Sequence, residues 1–175
     1  MQLLVLSDSH GRADRVREVI ARCRGVDMIL FLGDGLRDLA VLDSETATRL
    51  CAVRGNCDGF SFFSDCADNT PEERFLALDS YHILMMHGHT HGVKGGITHA
   101  VAYAAARGAD LLLFGHTHEP IAVYLPEGTA VGDTVLAKPM HVFNPGSLGI
   151  PRSGEPSYGR IDLLRGGIVC SHGNL

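Results

Sequence analysis

Five times in this 175-residue chain a short, unbroken apolar run stops at a cluster of Asp, His, Asn or Gly. The run 3–6 ends at Ser7-Asp8-Ser9-His10, 28–32 at Gly33-Asp34, 51–53 just before Gly55-Asn56, 83–86 at His87, and 111–114 at Gly115-His116-Thr117-His118. A strand with one wet face alternates apolar and polar residues, whereas continuous runs of this length suit strands covered on both faces, as in parallel sheets. Between the first two runs Val16, Val19, Ile20 and Cys23 recur at helical spacing, so the chain is expected to open with a βαβ unit.

The remaining pattern fills in one domain, without linker, internal repeat or low-complexity segment. Residues 74–78 and 81–86, joined by Asp79-Ser80, predict a hairpin, and 161–164 with 168–170 predict a closing one around Arg165-Gly166-Gly167. A helix is expected over 100–106, ended by Gly108, and further strands over 121–125, 134–137 and 140–143. Residues 58–73 read as a surface loop with little regular structure, part of it packed down by Phe60, Phe62 and Phe63.

Charge and composition exclude several classes. A net charge of -5 argues against a general nucleic-acid or anionic-membrane binder, so an anionic substrate must be attracted locally. No apolar stretch approaches the roughly 20 residues of a membrane span, and the opening run lacks a basic leader. Cys23, Cys51, Cys57, Cys66 and Cys170 form an odd set without a CxxC pair, which fits reduced thiols and a cytoplasmic location. A homo-oligomer stays open.

In open α/β sheets ligands bind outside the carboxyl ends of the strands, so the five clusters could converge on one site. Each has a plainer reading: Asp8-x-His10 as a turn with a helix cap, Gly33-Asp34 as a turn, and His87, His116 and His118 as interior histidines. Together they place Asp8, His10, Asp34, Asn56, His87, His116 and His118 at equivalent positions, and a metal site is the economical explanation. Carboxylate, imidazole and amide oxygen suit Mn²⁺, Zn²⁺, Fe²⁺ or Ni²⁺, with Mn²⁺ favoured. Seven ligands exceed what one catalytic ion uses. Two ions about 3.5 to 4 Å apart, sharing a carboxylate, would clamp the attacking and leaving oxygens of an in-line displacement.

Taken together, Asp8-x-His10, Gly33-Asp34, Gly55-Asn56-Cys57-Asp58, His87-Gly88-His89 and Gly115-His116-Thr117-His118 resemble the calcineurin-like metallophosphoesterases, particularly the small YfcE-type branch. The likeness runs from Leu3 to Asn144-Pro145-Gly146-Ser147. It implies an αββα sandwich of two mixed β-sheets flanked by helices, with a dinuclear site at the sheet edge. By motif, Asp8, His10, Asp34 and His118 look like ligands of one ion, and Asp34, Asn56, His87 and His116 like ligands of the other, with Asp34 as bridge. The nucleophile would be a metal-bridging hydroxide. Cys57, Asp58 and His89 would stand behind the ligands.

Many family members carry histidine where this chain has Cys57, a difference shared by the YfcE-type branch that questions any efficient general acid. His89 and His91 are the nearby substitutes, with exposed loop positions as the plainer reading. Two divalent ions, Asp8, Asp34 and a hydroxide sum to about +1 with neutral histidines, which matches a singly charged phosphodiester. Only Arg37 and Arg54 stand near the motifs to help a dianionic monoester. A small phosphate-ester substrate is therefore expected, with diesters favoured. Two rivals remain: a non-catalytic scaffold like the retromer subunit that resembles this family, and a metallo-β-lactamase-type hydrolase suggested by His87-Gly88-His89-Thr90-His91, whose fold would begin with a β-meander.

Overall fold

The computed structural model describes residues 1–60 and 69–175. The chain opens as β1 (Gln2–Leu6), α1 (Ala13–Arg22) and β2 (Met28–Phe31), with β2 parallel to β1. This is the expected βαβ unit, and it rules out the meander of the lactamase-type reading. A short helix α2 (Ser44–Ala47), capped by the Asp43 side chain on the Thr46 N–H, leads into β3 (Leu50–Ala52) beside β2. Neither α2 nor the 3-10 segment Leu36–Val41 is legible in the sequence pattern, because at four and six residues both are too short to show a helical period.

The second sheet begins with the hairpin β4 (Glu73–Leu78) and β5 (Tyr81–Met86). Helix α3 (Thr98–Ala106) then crosses to β6 (Leu111–Leu113), parallel to β5. β7 (Pro120–Leu125), a small ribbon of β8 (Ala130–Val131) and β9 (Thr134–Val135), and β10 (Met140–Pro145) follow. The strand expected over 134–137 is thus only the second half of that ribbon. The closing hairpin, β11 (Ser157–Leu164) with β12 (Gly167–Asn174), is longer than read, since Ser157 and Gly173 lack the apolar signal that marks a strand. Within 58–73, Asp58–Phe60 forms a 3-10 turn and β4 already starts at Glu73. Phe62, Phe63 and Cys66 lie outside the described residues.

Strand order is β12-β11-β1-β2-β3 in one sheet and β4-β5-β6-β10-β7 in the other. The alternation along β1 explains the layering. Leu3 and Val5 pack with Ile83, Met85, Leu111, Leu113 and Phe143 between the sheets, while Leu4 and Leu6 pack with Val16 and Val19 of α1. On the far side Leu84, Met86 and Leu112 meet Ala100, Val101 and Ala104 of α3. The parallel strands β1, β2, β5 and β6 are covered on both faces, which is why their sequences are continuously apolar, whereas the interior strand β11 alternates. The result is an αββα sandwich of two mixed sheets flanked by helices.

Candidate metal centre

The parallel strands β1, β2 and β3 of one sheet and β5 and β6 of the other end at a common rim. There the backbone departs from ordinary geometry. Among described non-glycine residues positive φ occurs at Asp8 (53°), His10 (45°), Asp34 (58°), His116 (66°) and His118 (59°), and otherwise only at Asp79 in the β4–β5 turn. L residues adopt this region at a cost, which surrounding structure must offset, and such strain concentrates at functional sites. Five of the seven ligand candidates are held this way.

The side chains meet. His118 Nε2 lies 3.1 Å from Asp8 Oδ1 and 3.2 Å from His10 Nε2. His87 Nε2 lies 3.3 Å from Asp34 Oδ2 and 3.1 Å from His116 Nδ1. His10 Nε2, 3.9 Å from Asp34 Oδ2, joins the two halves. Three donor sets lie within 4.8 Å: Asp8, His10 and His118; Asp34, His87 and His116; and His10, Asp34 and Cys57. The first two accord with the halves the sequence suggested.

What faces the centre is rich in acceptors. His87 Nδ1 is 2.7 Å from the Leu32 carbonyl and His118 Nδ1 is 2.6 Å from the Ile150 carbonyl. Each Nδ1 therefore carries a proton, and in its neutral form each ring would turn an Nε2 lone pair inward, the arrangement by which backbone partners orient metal-binding histidines. Asp8 Oδ2 accepts from the Ser7 hydroxyl and the His116 N–H, but buried Asp8 Oδ1 has no hydrogen-bond partner. An orphaned carboxylate oxygen surrounded by imidazole nitrogens demands a cation. The donor set fits divalent transition ions.

The electrostatics agree. Burial alone would raise the Asp8 carboxyl, yet the imidazoles of His10 and His118 hold it well below the usual carboxylate range. Burial is likewise outweighed at Asp34, brought down to about 2 by His87 and the Cys57 N–H. His87 rises despite its burial because Asp34 and Asp8 face it, and His118 rises beside Asp8. Burial, then His87 and Lys94, push His116 down to about 4.

Asn56 is exposed, with its amide nitrogen 3.2 Å from Cys57 Sγ. Cys57 is itself exposed rather than a packing residue; its N–H donates to Asp34 Oδ1 at 2.7 Å, and burial and the Asp34 charge push its thiol up to about 11. His89, half-buried on the 3-10 turn His89–His91, lies tilted against His87 and edge-on to His116, and burial lowers its pKa. His91, also half-buried, contacts Tyr103 instead.

Asp58 braces the ligand loops. Its oxygens accept from the N–H groups of Asp34, Gly35, Leu36 and Gly55 at 2.8, 2.8, 2.9 and 2.8 Å. Three further braces went unread in the sequence. Asp38 accepts from Ser9 Oγ and the Gly11 N–H; Asn144 donates to the Gly115 carbonyl and Thr117 Oγ1; Ser147 Oγ donates to the Asp8 carbonyl. Asn144 follows an apolar run just as the ligands do, the one signal that could have singled it out. Glycine is required before two ligands for lack of space: a Cβ at Gly55 would lie 2.1 Å from Asp34 Oδ1, and one at Gly115 2.1 Å from Ser7 Oγ.

A two-sheet sandwich with this rim of aspartates and histidines is the architecture of a metal-dependent phosphoesterase. The chain belongs to the calcineurin-like phosphoesterase superfamily, whose domain matches residues 1–166. It is 32% identical over 159 residues to the probable metallophosphoesterase YsnB of Bacillus subtilis, covering 87% of this chain and 78% of the relative. To phosphodiesterase YfcE of Escherichia coli it is 30% identical over 182 residues, covering 93% and 88%. A predicted phosphoesterase of Streptococcus pneumoniae superposes with a TM-score of 0.74 at 28% identity, covering 99% of this chain and 88% of that one. Vps29 of Entamoeba histolytica, in complex with zinc, superposes at 0.67 and 20% identity over 99% of each chain, a likeness that speaks to the fold alone. Family membership implies use of divalent metal, and no helix among the described residues is long and apolar enough to cross a membrane.

Proposed function

We propose that this protein is a dinuclear metal-dependent phosphodiesterase, hydrolysing small phosphodiesters by in-line attack of water on phosphorus. The observation that carries the reading is the buried Asp8 Oδ1, which makes no hydrogen bond yet lies 3.1 Å from His118 Nε2 and 3.7 Å from His10 Nε2 among residues held at positive φ. Asp8, His10, Asp34 and His118 would hold one ion; Asp34, His87, His116 and the Asn56 oxygen the other. When bound, such ions neutralise phosphate charge and lower the pKa of water, and Mn²⁺ is favoured for the mixed nitrogen and oxygen donors. Asp58 and Asp38 keep the ligand loops in place. Cys57, with a thiol shifted up to about 11, is a poor proton donor, so the departing oxygen leaves with little help.

Diester preference is supported by the cations nearby. Arg54 is taken up by Glu72 at 2.9 Å, which leaves Arg37 as the one arginine near the motifs that a second substrate charge could meet, and a lone exposed guanidinium is weak compensation for a dianion at the centre itself. A reducing, cytoplasmic setting accords with free Cys23, Cys51, Cys57 and Cys170. Metal analysis, with hydrolysis of bis(p-nitrophenyl) phosphate before and after chelation, tests the reading. We expect about two ions per chain, activity lost to chelator and restored by Mn²⁺ better than by Ca²⁺. Full activity in excess chelator overturns the metal mechanism; a chain that retains no metal and turns over nothing favours the scaffold reading.

A further inference from the structure

A cleft of about 360 Å³ opens beside the centre, lined by His10, Gly11, Asp34, Gly35, Arg37, Cys57, Asp58 and Ile150. Two of its walls are unusual for an exposed surface. Arg37 projects from the 3-10 turn Leu36–Val41, a turn held down by the Leu36 N–H on Asp58 and by buried Leu36. Among the described residues no carboxylate pairs with it, as is also true of Arg17, Arg24, Arg160 and Arg165, but of these only Arg37 lines this cleft. Ile150 is 56% exposed, although its backbone is fixed at both ends, its N–H on Ser147 Oγ and its carbonyl on His118 Nδ1. A guanidinium without a carboxylate partner and a rigidly mounted apolar side chain thus border one cleft, in which Gly11 adds open space.

We infer that this cleft receives a substituent of the phosphodiester that itself bears an anionic group, with Arg37 pairing to that group and Ile150 packing against the carbon skeleton. The inference rests on the phosphodiesterase reading above. On the diesterase reading the proposed dinuclear centre already matches the single charge of the scissile phosphate, so Arg37 at the cleft rim is free to meet a second negative charge carried on the substituent. In a chain of net charge -5, that cation also supplies local attraction that the whole molecule lacks. Guanidinium suits phosphate or carboxylate through its forked donors. Lys94, on the 3-10 turn Val93–Gly95, is exposed, acts on His116 and His118 but does not line the cleft, and serves as the control.

The experiment uses manganese-loaded protein and two chromogenic substrates, the p-nitrophenyl ester of thymidine 5′-phosphate and the same diester carrying a 3′-phosphate. At low ionic strength kcat/KM should favour the 3′-phosphorylated substrate by about five-fold, the yield of a solvent-facing ion pair. That ratio should fall toward one in Arg37→Gln and with added salt, and persist in Lys94→Gln. Ile150→Ala should raise KM for both substrates. A ratio of one in the parent, a ratio unmoved by Arg37→Gln, or a ratio lost in Lys94→Gln overturns the inference while leaving the diesterase reading standing. Failure of the parent to hydrolyse either substrate overturns both.

Discussion

Asp58→Asn isolates the strongest brace of the centre. The carboxylate is 8% exposed and takes four backbone N–H groups, from Gly35 and Leu36 on Oδ1 and from Asp34 and Gly55 on Oδ2. Asparagine has the same shape but one acceptor oxygen, so two N–H groups face an amide NH₂ that donates instead. Each lost bond to a charged acceptor costs about 1.5 to 3 kcal/mol. The two share one carboxylate and do not add fully, so a loss of about 3 to 5 kcal/mol is expected. A domain of this kind has about 5 to 15 kcal/mol of stability, so the variant should remain folded. Urea unfolding of chelator-treated protein measures the loss. Because the Asp34 turn relaxes, manganese affinity should also fall by about 10- to 100-fold, the usual effect of removing a group that orients a ligand. A stability change below about 1 kcal/mol, together with parental metal affinity, would refute the assignment of Asp58 as the loop brace.

Asp34→Ala should lower total metal content more than His10→Ala, since Asp34 stands in both halves; one ion kept at full occupancy in the Asp34 variant and two lost in the His10 variant would reverse the assignment. Cys57→His should flatten the dependence of rate on leaving-group pKa across a diester series, by up to the roughly 10²- to 10⁴-fold of general-acid help for poor leaving groups. Little leaving-group dependence in the parent, with chemistry rate-limiting, would point to another proton donor, His89 first. Burial pushes the Cys170 thiol up to about 12, so at pH 8 almost none is thiolate and its alkylation by iodoacetamide should be slow and quicken only as pH rises toward that value. Labelling of Cys170 at pH 8 as fast as a free thiol, read by peptide mapping, contradicts this.

The strands and the residues gathered at the rim were legible for one physical reason. Burial on both faces makes β1, β2, β5 and β6 continuous apolar runs, and the first polar residue after each run stands at the rim where ligands collect. Asp38, Asn144 and Ser147 were not legible because they act through bonds to backbone distant in sequence, Ser147 on Asp8 and Asn144 on Gly115. The same residue types serve equally well in ordinary turns. Asp58 could be placed behind the ligands but not given its four bonds, which exist only once β2 and β3 lie side by side. Whether an arginine near the motifs is free or spent also depends on the fold, as Arg54 and Arg37 illustrate.

Each half of the centre draws on both sheets: Asp8 and His10 after β1 face His118 after β6, and Asp34 after β2 faces His87 and His116 after β5 and β6. The gap between donors is therefore set by how far apart the layers stand, and that is decided by Val5, Met85, Leu113 and Phe143 in the middle of the sandwich. A change of side-chain volume there acts as a spacer beneath the rim, widening or narrowing the distance across which paired ions must work. Substitutions far from the rim should thus tune the spacing of the candidate donors without altering a single donor atom.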